Sequence, residues 1–176
     1  MDKGIDTGDM ILTRELEIAP GERFNSLHDR VADLGAAALI EALKMIEEGS
    51  AAHTKQDHNT ASYSPMVNKN DAHINWHLGY NKIYNMIRAY DPWPGPYAIY
   101  KGAPIKIWDA AASEPCGAPT KPGTIMRIDK KQGLLVACGD GGMWITELQA
   151  PNKRRMKTAD FLRGQGDMFK VGEILK

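Results

Sequence analysis

The pattern of apolar and polar positions falls into three stretches. From Leu12 onward Leu12, Arg14, Leu16 and Ile18 alternate with Thr13, Glu15 and Glu17, which predicts a strand over Met10–Ile18 with one polar face. Ala19-Pro20-Gly21 ends it. Phe24, Leu27, Val31, Leu34 and Ala38 then recur at spacings of three and four. They form one stripe of an amphipathic helix that runs through Leu43 and Ile46 to a stop at Gly49. A strand and a helix cannot bury a core by themselves, so these residues read as the end of a larger layered unit.

From Lys55 to His73 the chain is rich in Asn, Asp, Ser and Thr and reads as a linker. Leu78 to Tyr90 has helical spacing at Ile83, Tyr84 and Ile87. Asp91-Pro92-Trp93-Pro94-Gly95-Pro96 breaks it, because proline lacks a backbone donor and fixes φ. Five short strands follow at Tyr97–Tyr100, Ile105–Ala110, Thr124–Ile128, Leu134–Cys138 and Met143–Leu148. Lys101-Gly102, Gln132-Gly133 and Asp140-Gly141-Gly142 separate some of them, and Ser113 to Pro122 forms a longer loop. This spacing predicts a small β-barrel. Thr158 is placed to cap a short helix through Leu162.

Composition adds little until it is divided. The 176 residues carry 22 basic and 22 acidic side chains, but residues 1–55 hold six basic and eleven acidic ones. The compensating positive excess sits in residues 121–176, with eleven basic and six acidic side chains. Lys130, Lys131, Lys153, Arg154, Arg155, Lys157 and Arg163 cluster there, and such a patch fits either a solvated face or contacts to phosphates. No run of about 18 apolar residues exists to span a membrane, and no secretion signal opens the chain. The two cysteines, Cys116 and Cys138, form no CxxC pair, and a cytosolic location is the default. Trp108 and Trp144 read as core residues and Trp93 as a plug between helix and barrel. The aspartates of the first ten residues fit a tight turn, and their spacing matches no metal-binding loop.

Several blocks together carry a resemblance. Asp2-Lys3-Gly4-Ile5-Asp6-Thr7-Gly8-Asp9-Met10 resembles the D-x-G-x-D-T-G-D segment of the methionyl-tRNA formyltransferase family. Thr60–Met66 and Ile74-Asn75-Trp76 resemble its linker and the entry to its second domain. Ile87–Gly95, Leu134–Gly141 and Lys153–Gly164 resemble three further signatures, in the same order and spacing. The resemblance implies three parts. Residues 1–55 are the C-terminal end of a Rossmann-like catalytic domain, 56–73 a linker, and 74–176 an OB-like C-terminal domain that helps to hold tRNA. The α/β remnant would thus be followed by a small β-barrel.

It also implies formyl transfer from 10-formyltetrahydrofolate to the amino group of methionyl initiator tRNA, in translation initiation. Asp6 matches the catalytic aspartate, and the backbone of Gly4 and Ile5 would lie near the pteridine ring. The family's N-x-H-x-S-x-L-P segment does not occur, and His28, His53, His58, His73 and His77 match no catalytic position. Asp6 then lacks an oxyanion donor and a proton-handling imidazole, so no turnover is expected from this chain alone. A monomer is expected for the whole enzyme. Two other readings stay open: a free-standing tRNA-binding barrel, and a relative of the sugar N-formyltransferases, which the basic Lys153-Arg154-Arg155 run disfavours.

Overall fold

The computed structural model describes residues 2–112 and 120–176. It contains two compact units, Met1–Met66 and Val67–Lys176.

The first unit is built on one long helix, α1 (Phe24–Glu47). Its predicted stripe is present, yet none of its residues is buried. The helix ends where Gly49 adopts a positive φ of 70°, which glycine takes without steric penalty. The strand predicted over 10–18 is absent. Met10 makes an isolated antiparallel bridge with Thr54: the Met10 N–H donates to Thr54 O and the Thr54 N–H donates to Met10 O, both at 2.9 Å. Beyond it residues 12–19 belong to no helix or strand. Alternation made this segment competent for a sheet, but a strand exists only where a neighbour takes its backbone bonds. Side chains hold it instead. Arg14 pairs with Glu41 of α1 at 2.5 Å, and Arg30 Nη2 donates to Glu17 O at 3.0 Å.

The second unit opens on a 3-10 turn, Lys69–Ala72, capped reciprocally by Asn68 and Asp71. This order lies inside the stretch that the sequence predicts as linker. Helix α2 (Tyr80–Ala89) buries Ile83 and Ile87, and the Asp91–Pro96 elbow ends it as expected. Six strands follow: β1 (Tyr97–Tyr100), β2 (Ala103–Ala112), β3 (Ile125–Asp129), β4 (Gly133–Cys138), β5 (Gly141–Gln149) and β6 (Met156–Lys157). They form one antiparallel sheet in the order β1-β2-β5-β4-β3, with β6 beside β5. All five expected strands are present within a few residues. The two-residue β6 was not anticipated, being too short to show alternation. Helix α3 (Thr158–Gln165) extends past the predicted Leu162.

The sheet is curled into a half-barrel, and the C-terminal residues meet both of its edges. Ile99 of β1 and Lys176 exchange two backbone hydrogen bonds, at 2.6 and 2.8 Å. On the opposite edge Ile125 N–H donates to Glu173 O, and Leu175 N–H donates to Gly123 O, both at 2.8 Å. Both edge strands thereby find partners for donors that would otherwise face solvent. Inside lie Ile105, Ile107, Val136, Ile145, Leu148 and Leu175, closed by α2 on one side and Phe161 and Leu162 of α3 on another. Gly133 opens β4 at φ 117°, and a Cβ there would run into the carbonyl oxygen of Ile145, so the close strand approach requires glycine.

Trp108 and Trp144 are buried as expected, but Trp93 is 58% exposed and plugs nothing. Within the elbow only Pro92 and Trp93 face outward, while Asp91, Pro94, Gly95 and Pro96 are buried, and it is Trp76 that fills the core. Cys138 is buried, and Cys116 lies outside the described residues, with most of the Ser113–Pro122 loop.

Candidate functional site

Two regions carry the chemistry that the sequence singles out. The first is the loop over residues 2–9 of the first unit. Asp2 organises it: its carboxylate accepts from the Thr7 hydroxyl at 2.8 Å and from the Lys3 N–H at 2.7 Å. These bonds, led by that from Thr7, hold the Asp2 carboxyl below the usual carboxylate range. A Cβ on Gly4 would collide with the Thr7 side chain, so the fold of this loop excludes larger residues there. Asp6 sits in the left-handed region at φ 57°, an unusual conformation for a residue with a Cβ.

Asp6 borders a cavity of about 730 Å³ with Asp2, Thr7, Asp9, His53 and Gln56. It is open to solvent, with Asp2, Asp6, Asp9 and His53 all exposed. His53 faces it although no family motif contains it, and its sequence position, 47 residues from Asp6, gave no signal of proximity. The predicted cofactor contacts Gly4 and Ile5 do not line this cavity, and Ile5 is 90% exposed. Among the described residues no group of acids, histidines or cysteines could hold a metal ion.

The second region is the basic part of the second unit, where the seven predicted cations separate into three groups. Lys131 and Lys157 border a groove of about 920 Å³ with Arg127, Gln132, Trp144 and Glu147. Lys131 stands on the β3–β4 turn, which Asp129 shapes by accepting from the N–H groups of Lys131 and Gln132 at 2.7 and 3.0 Å. Lys130 is beside it on the same turn. Arg127 of β3 lies over the indole of Trp144, 4.8 Å from the ring centre. The sequence reading missed Arg127 because it stands within a strand, where alternation says only that it faces outward.

Lys153 and Arg154 are exposed on the turn after β5, where Lys153 O accepts from the Gln149 side chain at 2.9 Å. Arg155 and Arg163, by contrast, are committed within the fold. Arg155 meets Glu147 at 2.7 Å and Asp91 at 2.9 Å, and its guanidinium covers the Trp108 ring at 4.8 Å. The hydrogen bond to Glu147, then that to Asp91, push its pKa up. Arg163 pairs with Asp160 one turn earlier on α3. The charge run is thus partly a structural clamp and partly a free cationic surface, a division invisible in the run itself.

This chain is similar to known proteins. Residues 66–166 match the family model described as formyl transferase, C-terminal domain. The methionyl-tRNA formyltransferase of Carboxydothermus hydrogenoformans is 42% identical over 176 residues, spanning all of this chain and 56% of that protein. That of Geobacter metallireducens is 40% identical over 164 residues, 93% of this chain and 51% of its own length. The chain spans about half the length of the curated relatives it matches. Among solved structures, HypX from Aquifex aeolicus in complex with tetrahydrofolic acid superposes with a TM-score of 0.61 at 19% identity, over 99% of this chain and 32% of HypX. A multiply substituted variant of HypX gives 0.63 at 21% identity, over 99% of this chain and 31% of that protein. These likenesses bear on the fold. With a family model covering more than half of its residues, the chain belongs to the formyl transferase family and carries that family's C-terminal domain.

Proposed function

We propose that this chain serves methionyl-tRNA formylation, in which a formyl group passes from 10-formyltetrahydrofolate to the amino group of methionyl initiator tRNA. The observation that carries this reading is the 42% identity over all 176 residues to a methionyl-tRNA formyltransferase, across the Asp6 loop and the curled sheet alike. Residues 1–55 are assigned to the end of the Rossmann-like catalytic domain, 56–73 to the linker and 74–176 to an OB-like tRNA-binding domain. The protein acts in the cytoplasm, in translation initiation.

An amine attacking a formyl carbon becomes cationic and must lose a proton, while the carbonyl oxygen becomes an oxyanion. Asp6 is assigned to the proton transfer, through a water or a neighbouring imidazole. The carboxylates of Asp6 and Asp9 at the cavity offer acceptors for the amino N–H groups of a pterin, and the Gly4–Ile5 backbone lies within the same loop. The folate would supply the formyl carbon and leave as tetrahydrofolate, its nitrogen taking up the proton that the amine loses. Because the family's N-x-H-x-S-x-L-P segment, assigned to the oxyanion and the proton, does not occur in this sequence, this chain alone is expected to give no turnover.

In the second unit the tRNA backbone is assigned to Lys130, Lys131, Lys153, Arg154 and Lys157, joined by Arg127 across the groove. Arg155 supports that surface by holding the turn, and Arg163 lies at its margin. Recognition of this kind reads shape and phosphates. Filter binding of initiator tRNA to the whole chain tests it. Affinity should fall steeply with salt, and replacing Lys131, Lys153 and Arg154 together by alanine should flatten the dependence by about 2.1–2.7 units of log–log slope, at roughly 0.7–0.9 per contact. Salt-independent binding would remove the reading. An assay with methionyl-tRNA and 10-formyltetrahydrofolate tests the chemistry, and turnover above background by the chain alone would overturn the assignment of inactivity.

A further inference from the structure

We propose that Gln56 is a positioning residue for Asp6, acting by pinning the loop that carries it. This rests on the reading of Asp6 as the group that assists proton transfer. Gln56 Nε2 donates to the Asp6 carbonyl oxygen at 3.0 Å and to the Gly8 carbonyl oxygen at 2.6 Å. One amide nitrogen has two protons, so each carbonyl receives its own. The two acceptors bracket Thr7, and the segment between them is held at both ends by a side chain 48 and 50 residues away in sequence.

The other side-chain bonds of this loop, from Thr7 and Lys3 to Asp2, fold it on itself without anchoring it. The Met10–Thr54 bridge fixes where the loop ends, and Gln56, two residues past Thr54, reaches back to its middle. Asp6 needs such a hold. A residue with a Cβ at φ 57° stays there only when its surroundings over-determine it. Gln56 is half-buried between exposed Lys55 and Asp57, as a side chain turned inward would be. The carboxylate of Asp6 is left exposed at the cavity while its backbone is fixed. Holding a reacting group through its main chain leaves both carboxylate oxygens available.

The test uses the whole chain and two variants. Gln56→Glu keeps the shape but has no donor at neutral pH and sets an anion against two carbonyl oxygens; Gln56→Lys keeps a donor of similar reach. Amide hydrogen exchange at residues 2–9 should quicken about tenfold or more in Gln56→Glu and return to within about threefold of the native rate in Gln56→Lys. Exchange over 24–47 and 97–149 should stay unchanged in both. Unchanged exchange in the loop of Gln56→Glu would overturn the proposal, as would a loss of protection spread evenly over α1. A second arm follows the Asp6 side-chain carboxyl carbon by NMR as tetrahydrofolate is added. The resonance should move in the native chain and in Gln56→Lys and stay still in Gln56→Glu. If it stays still in the native chain while the exchange result holds, the folate reading of Asp6 fails and the pinning of its loop stands.

Discussion

Arg155 holds Asp91 by one nitrogen, with Nη1 at 2.9 Å from Oδ1 and 3.0 Å from Oδ2. Its other terminal nitrogen, Nη2, donates to Glu147 at 2.7 Å. One guanidinium thereby joins the end of β5 to the proline-rich elbow that follows α2, and Asp91 is only 9% exposed.

Arg155→Ala should therefore act on stability. Loss of charge-assisted bonds to two carboxylates is expected to lower unfolding free energy by about 1–3 kcal/mol, discounted toward the lower end because Arg155 is partly exposed. Arg154→Ala, from the same charge run, should leave urea stability within about 0.5 kcal/mol and weaken tRNA binding instead. Chemical denaturation and filter binding on the two variants separate these roles. Equal effects of both on both measurements would refute the division.

Asp140 gives a pH-dependent test. Its Oδ1 accepts from the N–H of Tyr80 at 2.8 Å, so a residue on the β4–β5 turn caps α2. That bond, with a smaller contribution from the Cys138 thiol, holds the carboxyl below its usual range. A depressed folded pKa stabilises the fold above the unfolded-state value of about 3.9, and the gain disappears as pH falls through the folded value. Asp140→Ala should lose about 1 kcal/mol at pH 7, a typical cap. The gap from the native chain should narrow below about pH 4 and close as Asp140 protonates. Urea melts across pH measure it, and a constant gap would refute the cap.

The C-terminal residues should matter more than a terminus usually does. Leu175 is 1% exposed in the core beside backbone bonds that meet both edge strands. Leu175→Ala should cost about 2–4 kcal/mol through lost burial and the cavity left behind. Val171→Ala, at a position 60% exposed, should stay within about 0.5 kcal/mol. Denaturant midpoints of the two variants give the comparison.

The exposed stripe of α1 predicts association. Val31, Leu39, Ile40, Leu43 and Ile46 are each more than half exposed. Leu39→Lys with Leu43→Lys should raise solubility and reduce self-association in sedimentation without lowering the melting temperature, since neither side chain is buried. A clear drop in melting temperature would show that the stripe is covered.

Legibility differed between the two units. In the second, strand-length apolar runs and turn residues located α2 and five strands: β1 alternates against the core, β4 is buried at every position, and Gln132-Gly133 and Asp140-Gly141 mark reversals. In the first, α1 was legible from its own stripe, while Met10–Ile18 was misread because its alternation had no partner strand to complete it. Asp6 and the cationic run were visible as residue types at motif spacing. Gln56, His53, Arg127 and Trp144 were not, since they join their sites only through contacts between distant segments.

The sequence by itself determined the helix stripes, the turns, the two oppositely charged halves and the family blocks, all of which rest on neighbours within a few residues. Tertiary structure alone decided that Arg155 is a clamp while Arg154 is free, that the last five residues meet both edges of the sheet, and that Gln56 holds the loop of Asp6. Each depends on a hydrogen bond or ion pair between groups far apart in the chain, and spacing along the sequence has no term for that distance.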